Sequence, residues 1–133
     1  MKDETALQHL LKAFGKAFND HDAQALISMM TPDCTFRTAL GDSREGTVIQ
    51  GQDAVRKAFE ATFAAFPDAQ WISRGVDVVS GSRGFSEWTF AATRASDGAR
   101  FDVDGVDIFT FKNGLIHVKD DYRKDRSEEH TSE

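Results

Sequence analysis

The segment Phe101-Asp102-Val103-Asp104-Gly105-Val106-Asp107-Ile108-Phe109-Thr110-Phe111 reads as a β-strand with one carboxylic acid on its apolar side. Side chains alternate across a strand, so Phe101, Val103, Gly105, Asp107, Phe109 and Phe111 share a face. If that face lines a core or cavity, the Asp107 carboxylate loses its water and its pKa rises. A neutral acid able to donate a hydrogen bond near pH 7 then becomes available. Such groups do acid–base chemistry, although a buried Asp equally serves as a structural hydrogen-bond acceptor. A second carboxylate, Asp121, sits in the run Lys119-Asp120-Asp121-Tyr122-Arg123. The ordinary expectation there is a solvated strand end with local ion pairs. Tyr122 is the only phenol in the chain and a candidate hydrogen-bond donor to a ligand.

The aromatic residues suggest what surrounds these acids. Eleven Phe stand against two Trp and one Tyr, which suits an interior or ligand chamber with few polar handles. Trp88 and Phe90 alternate with Glu87 and Thr89, so an aromatic inner face with a polar outer one is the economical reading. Phe14, Phe36, Phe59, Phe63 and Trp71 are core residues first and ligand contacts second. His9, His21, His117 and His130 are scattered, with no second His at metal-ligand spacing, and no metal site is expected. His21 reads as a helix boundary; His117 either reaches the pocket or lies outside it. No phosphate loop, dinucleotide fingerprint or Ser nucleophile elbow is present, so the reading expects no cofactor.

Composition narrows the partners. A net charge of −6, with Lys and Arg interspersed among acids, argues against a nucleic-acid or anionic-membrane surface. Cys34 stands alone, so no internal disulfide forms, and the cytoplasm is the expected compartment. No basic N-terminal segment precedes an apolar run, and nothing approaches the roughly 20 apolar residues of a membrane span. A soluble, unprocessed chain is expected.

The elements that must position the acids follow from periodicity. Leu7, Leu10, Leu11, Phe14 and Phe18 make residues 4–19 an amphipathic helix, which Asn19-Asp20-His21-Asp22 breaks. Asp22 or His21 caps a short second helix carrying Ala25, Leu26, Met29 and Met30, and Thr31-Pro32-Asp33 stops it. Residues 34–40 alternate as a strand, and Thr47-Val48-Ile49 forms a short β-prone piece. A third helix begins near Gly51 with Asp53 at its N-terminal end, and Pro67 closes it. Runs at 70–79, 84–95, 99–112 and 115–123 are separated by Gly-bearing turns, which predicts an antiparallel meander. Gly75 and Gly105 inside strands are candidates for bulges or bends. Helices first and a curled antiparallel sheet afterwards define an α+β architecture, one domain over residues 1–124, with a polar tail at 125–133 expected to be disordered.

This layout, with Phe18-Asn19-Asp20-His21-Asp22-Ala23-Gln24-Ala25-Leu26, Pro32-Asp33-Cys34-Thr35-Phe36, Gly51-Gln52-Asp53-Ala54-Val55-Arg56 and Gly105-Val106-Asp107-Ile108-Phe109-Thr110-Phe111-Lys112-Asn113-Gly114, resembles the SnoaL-like branch of the nuclear transport factor 2-like superfamily. The resemblance runs from about residue 5 to 123. It implies a conical α+β barrel, a curled, mainly antiparallel sheet wrapped around N-terminal helices. It also implies a deep hydrophobic pocket and a homodimer packed through the sheet. Asp107 then falls where similar ketosteroid isomerases hold a protonated aspartic acid. Phe14 falls where they have a tyrosine, and Thr38 where they have the proton-moving aspartate. Asp121 matches a catalytic carboxylate of the similar limonene epoxide hydrolases, whose other two positions hold Trp88 and Phe90. In the SnoaL-like cyclases the acid–base aspartate corresponds to Asp121 or, one residue away, Asp120.

Two readings of function survive. In one, the protein is a cofactor-independent acid–base enzyme of isomerase, cyclase, dehydratase or epoxide-hydrolase type acting on a hydrophobic metabolite. Asp107 and Asp121 are then catalytic, and Phe14, Phe36, Thr38, Phe59, Phe63, Trp71, Trp88, Phe90, Phe109 and Tyr122 are the ligand-binding candidates. In the other, the same pocket is that of a non-catalytic dimeric protein, and Asp107 anchors one polar group of an apolar small molecule. Val106 and Ile108, on the opposite side of the Asp107 strand, are the apolar residues a sheet-mediated homodimer would cover.

Overall fold

The computed structural model describes residues 3–125. Helix α1 (Glu4–Asn19) starts where the Asp3 carboxylate accepts from the Ala6 N–H, and it buries Leu7, Leu11, Phe14, Ala17 and Phe18. His21, in the left-handed region at φ 56°, turns the chain. The Asp22 side chain then accepts from the Ala25 N–H and caps α2 (Ala23–Ser28), which decides between the two cap candidates. Helix α3 (Gln52–Ala65) follows Gly51 and buries Val55, Phe59 and Phe63.

Six strands form one sheet: β1 (Met30–Arg37), β2 (Val48–Gln50), β3 (Gln70–Ser80), β4 (Arg83–Thr93), β5 (Arg100–Lys112) and β6 (Leu115–Arg123), in the order β2-β1-β6-β5-β4-β3. All pairs are antiparallel except β1 with β6. The three helices cover the concave face, and two hydrophobic clusters rich in aromatic side chains fill the space between. The α+β architecture, the meander of the last four strands and the inward face of Asp107 are as the sequence pattern predicts.

The first strand differs from expectation. It begins at Met30 and ends at Arg37 instead of spanning 34–40. Its register against β6 shifts between Met30 and Thr35, so Pro32 and Asp33 sit exposed in an irregular stretch that needs no N–H from proline. Thr38 lies just past the strand: its N–H donates to the Thr47 carbonyl, and its hydroxyl accepts from the Thr47 N–H and donates to the Leu40 carbonyl, closing a compact loop. The expected polar tail, apart from Asp125, lies outside the described residues.

The two strand glycines serve different ends. Gly75, at φ 82°, sits in the register shift between Ser73 and Val76, as a bulge requires. Gly105 lies in unbroken register opposite Trp88, so it is no bulge. A Cβ there would strike the Trp88 ring and come within 2.7 Å of the Tyr122 carbonyl. Its missing side chain is the space the indole occupies.

A further irregularity sets the site. On β6, Val118 pairs with Thr110 while Ile116 pairs with Phe111, leaving His117 as an extra residue. Below this bulge Ile116 faces the core; beyond it the alternation resumes one position later, and Lys119, Asp121 and Arg123 face inward. His117 lies outside the pocket, with Nδ1 2.9 Å from the Thr31 hydroxyl and 3.5 Å from an Asp33 oxygen.

Candidate functional site

Between α1 and strands β3, β4 and β5 lies a cavity of about 300 Å³. Leu11, Phe14, Phe18, Trp71, Trp88 and Phe109 supply its apolar walls, and Asp107 is its buried acid. Ser86 and Asp77 continue from Asp107 across the sheet. The register pairs Asp107 with Ser86 and Ser86 with Asp77, and the Ser86 hydroxyl donates to Asp77 Oδ1 at 2.6 Å. On the other side of Asp107 the register pairs it with Asp121.

Asp107 is not a solitary acid. The Trp88 indole N–H donates to its Oδ2 at 3.1 Å, and the Lys119 ammonium donates to its Oδ1 at 3.0 Å. Lys119 is 3% exposed, and its ammonium lies 4.9 Å from the Phe18 ring centre and 4.7 Å from that of Phe36. An ammonium this buried persists only because carboxylates and aromatic faces replace its water. Burial pushes the Asp107 carboxyl upward while Lys119 and Trp88 pull it down, and the net direction is up. Burial would lower Lys119, but the combined pull of Asp107 and Asp121 outweighs it and the ammonium is held above its ordinary value.

Asp121 is the responsive member of the group. Burial, with the Asp107 carboxylate adding to it, pushes Asp121 up to about 6 against the pull of Lys119 and Arg123. Its Oδ1 is buried with no hydrogen-bond partner among the described residues. The expectation of a solvated strand end is therefore overturned: the β6 bulge folds Lys119 and Asp121 into the interior. Asp120, the other candidate for that role, faces outward and lies 3.5 Å from the Arg37 guanidinium.

The remaining candidates divide by position. Phe14, Trp71, Trp88 and Phe109 line the cavity. Phe36, Phe59 and Phe63 are buried in the core beside it: Phe59 packs edge-on to Phe14 and Phe18, and Phe63 stacks on His21 at 4.5 Å. Phe90 belongs to the second cluster, against Phe66 and Phe101. None of these four lines the cavity. Thr38 sits past the end of β1, where its hydroxyl donates to the Leu40 carbonyl, and it too is outside the lining. Tyr122 is 53% exposed on the outer face, in a shallow groove with Arg74 and Val106, because odd positions of this part of β6 face inward. Sequence reasoning missed Lys119, Ser86 and Asp77. Lys119 is hidden by the bulge, whereas Ser86 was legible as the inner neighbour of Trp88.

Among the described residues no group of three or more His, Cys, Asp or Glu could hold a metal ion, and no helix is long and apolar enough to cross a membrane. A sequence model for the SnoaL-like domain matches residues 11–118, which includes Asp107 and the whole of β5 and stops three residues before Asp121. The chain belongs to the SnoaL-like family. No curated protein sequence matches it. Solved structures with the same fold include a candidate polyketide cyclase from Xanthomonas campestris pv. campestris (17% identity, TM-score 0.78, covering 98% of this chain and 96% of that one). An NTF2-like protein from Mesorhizobium loti is 21% identical with a TM-score of 0.76, over 94% of this chain and 97% of its own. TerC, co-crystallised with polyporic acid, is 18% identical with a TM-score of 0.76, over 90% and 92%. At these identities the likeness shows the fold alone. In the SnoaL-like frame of this chain, the cavity, Asp107 and the Asp107–Lys119 pair all stand on the concave side of the sheet.

Proposed function

We propose that this SnoaL-like protein is a cofactor-independent acid–base enzyme acting on a hydrophobic small molecule in the α1–β5 cavity. The observation that carries the reading is Asp107, 7% exposed, on the wall of an otherwise aromatic cavity and held by two donors. Both of its oxygens accept, so its natural part is that of a hydrogen-bond acceptor or proton-abstracting base, in place of the neutral donor that its strand face alone suggests. A base takes a proton from carbon or oxygen of the ligand. Lys119 compensates the charge left when the proton moves on. Asp121, poised near 6 and next to Asp107 in register, is the group suited to hold that proton. Enolisation, aldol-type cyclisation and base-initiated dehydration begin with such a step, whereas in epoxide hydrolysis the same base would take its proton from the attacking water and an acid would protonate the departing oxygen; TerC with polyporic acid illustrates that this fold accommodates a small molecule.

A second reading, binding without turnover, is favoured by a specific observation. Phe14 puts a hydrocarbon where a phenol would stabilise an oxyanion, and the Thr38 hydroxyl is committed to a backbone carbonyl. The experiment that separates them is deuterium exchange. A panel of aryl and alicyclic ketones is incubated with the protein in D2O and the α-hydrogens are followed by proton NMR, with Asp107→Asn as comparison. Catalysed exchange that is lost in the variant supports the enzyme. Saturable binding with exchange no faster than buffer leaves the binding protein.

A further inference from the structure

The polar groups of the cavity separate along the strands, acceptors at one level and donors at the next. The side chains that face inward from β3, β4 and β5 stand in cross-strand rows. One row is Asp77, Ser86 and Asp107, the next is Ser73, Trp88 and Gly105, and the third is Trp71, Phe90 and Val103. Neighbouring rows on one face of a strand are two residues apart, so along β4 the second and third rows lie about 7 Å and about 14 Å from the acids.

In the first row the free positions are lone pairs. The Ser86 hydroxyl is spent on Asp77 Oδ1, and Asp107 accepts one bond on each oxygen, from Trp88 and Lys119, so both carboxylates keep acceptor capacity. In the other two rows the free groups are donors. The Trp71 indole N–H and the Ser73 hydroxyl belong to the lining and donate to no group among the described residues; the Ser73 oxygen accepts from the Gly75 N–H at 3.1 Å. Trp88 leans over Gly105 toward β5 and leaves the β3 side of its row to Ser73.

The way in lies between α1 and the β3 edge. The helix is tied to that edge at two points: Glu4 accepts from the Gly81 N–H at 3.0 Å, and the Asn19 amide donates to the Trp71 carbonyl and accepts from its N–H. Between these ties Lys12, Gly15 and Lys16 are each exposed and part of the lining. A Cβ at Gly15 has nothing within 4 Å, so its missing side chain is an opening. Lys16 is held by Asp20 at 2.6 Å, and Lys12 is a hydrated donor at this mouth. The Glu87 side chain lies on the outer face beside Arg74 and adds nothing inside.

Resting on the reading of this cavity as the ligand site, we propose that it takes a flat, aromatic-sized molecule with polar groups at both ends, a hydroxyl or other donor against Asp107 and a carbonyl oxygen at Ser73 and Trp71. The donor gains a charge-assisted bond to a carboxylate already stripped of water. The carbonyl satisfies an N–H and an O–H that no protein group occupies. Ser73 and Trp71 thereby fix which end of the molecule meets the base.

The test uses three probes on one framework, titrated calorimetrically into the full chain: 6-acetyl-2-naphthol, 6-ethyl-2-naphthol, which lacks the acceptor, and 6-acetyl-2-methoxynaphthalene, which lacks the donor. The acetyl naphthol is expected to bind about threefold or more tighter than the ethyl naphthol, the scale of a neutral hydrogen bond, and at least about tenfold tighter than the methoxy ketone, the scale of a bond to a charged group. Trp71→Phe combined with Ser73→Ala keeps the ring and the strand but removes both donors, and should abolish the preference for acetyl over ethyl while leaving the preference for hydroxyl over methoxy. Gly15→Leu locates the binding: its side chain fills the mouth and should weaken all three probes at least about tenfold. Equal affinity of the acetyl and ethyl naphthols, or of the hydroxy and methoxy ketones, would overturn the two-ended recognition while leaving the cavity as a ligand site. An acetyl preference that survives the double variant would move the acceptor's partner to Lys12 and overturn the assignment to Ser73 and Trp71. Binding of none of the three, or binding untouched by Gly15→Leu, would show that the cavity is not the ligand site and end both readings.

Discussion

At the scale of single residues, the pairing of Asp107 with Lys119 changes what a substitution does. For a lone neutral acid, Asp107→Asn would be harmless, because an amide fills the same volume without an ionisation cost. With an ammonium 3.0 Å away and 3% exposed, the amide strands a buried charge. Asp107→Asn is therefore expected to destabilise the fold by about 3 kcal/mol at pH 7, and Lys119→Met by a similar amount. The double variant should lose clearly less than the sum, which urea melts of the four proteins measure as a coupling free energy. Asp121 sets the pH dependence. Its folded value of about 6 lies above the ordinary 3.8, so the folded state holds that proton more tightly than the unfolded chain. The associated stability is fully present below about pH 4, declines as pH rises through 6, and amounts to at most about 3 kcal/mol. Asp121→Asn should flatten the stability profile between pH 4 and 7, and melting temperatures across that range check it. Ketosteroid isomerisation should be negligible in the unmodified protein, since Phe14 supplies no phenol for the oxyanion and Thr38 supplies no carboxylate at the position from which similar isomerases move the proton, and Asp107 stands instead at their oxyanion position. A standard absorbance assay of double-bond migration tests this, and general acid–base catalysis of about 10²–10⁴-fold is what the lack of a base at the Thr38 position forfeits.

At the scale of elements, periodicity made most of the frame legible and the irregularities hid the rest. The α1 stripe, the Asp22 cap and the Gly-bearing turns before β4, β5 and β6 are local signals, each decided by a few residues. The face of Asp107 was legible because Phe101, Val103, Phe109 and Phe111 repeat strictly with it. Lys119 was not, because a two-residue period run through β6 puts Ile116 and Lys119 on opposite faces. Only the extra residue at His117, a property of pairing with β5 and invisible in β6 alone, places both inside. The long-range β1–β6 pairing was equally beyond local pattern. Gly105 shows how an element's defect serves the site: it leaves the hole in which the Trp88 indole reaches Asp107. Gly105→Ala should cost about 1–3 kcal/mol from overpacking and displace the indole, and a shift in tryptophan emission together with urea denaturation would register both. Unchanged stability would mean that Trp88 has another resting place.

At the scale of the whole molecule, the sheet has two faces with different obligations. Its concave side is covered by helices, but its convex side has no covering element among the described residues. Val78, Phe85 and Ile108 stand there in one cross-strand row, the first two 47% and 36% exposed, with Val106 and Tyr122 in the next row. Arg74, Glu87 and Asp104 flank them, and Arg74 pairs with Asp104. A contiguous apolar row rimmed by paired charges has the anatomy of an interface core, and a second copy of the chain meets it at the cost of the fewest unmatched groups, because a two-fold axis brings each row onto itself. We propose that the protein is a homodimer through this face. Sedimentation equilibrium at micromolar concentration should then give twice the 14.8 kDa chain mass. Phe85→Glu should give the single mass with the cavity's ligand affinity intact, since Phe85 points away from Asp107 and its neighbour Ser86 points toward it. A monomeric unmodified protein would show that the convex row is left to solvent. A variant that dimerises unchanged would place the interface elsewhere.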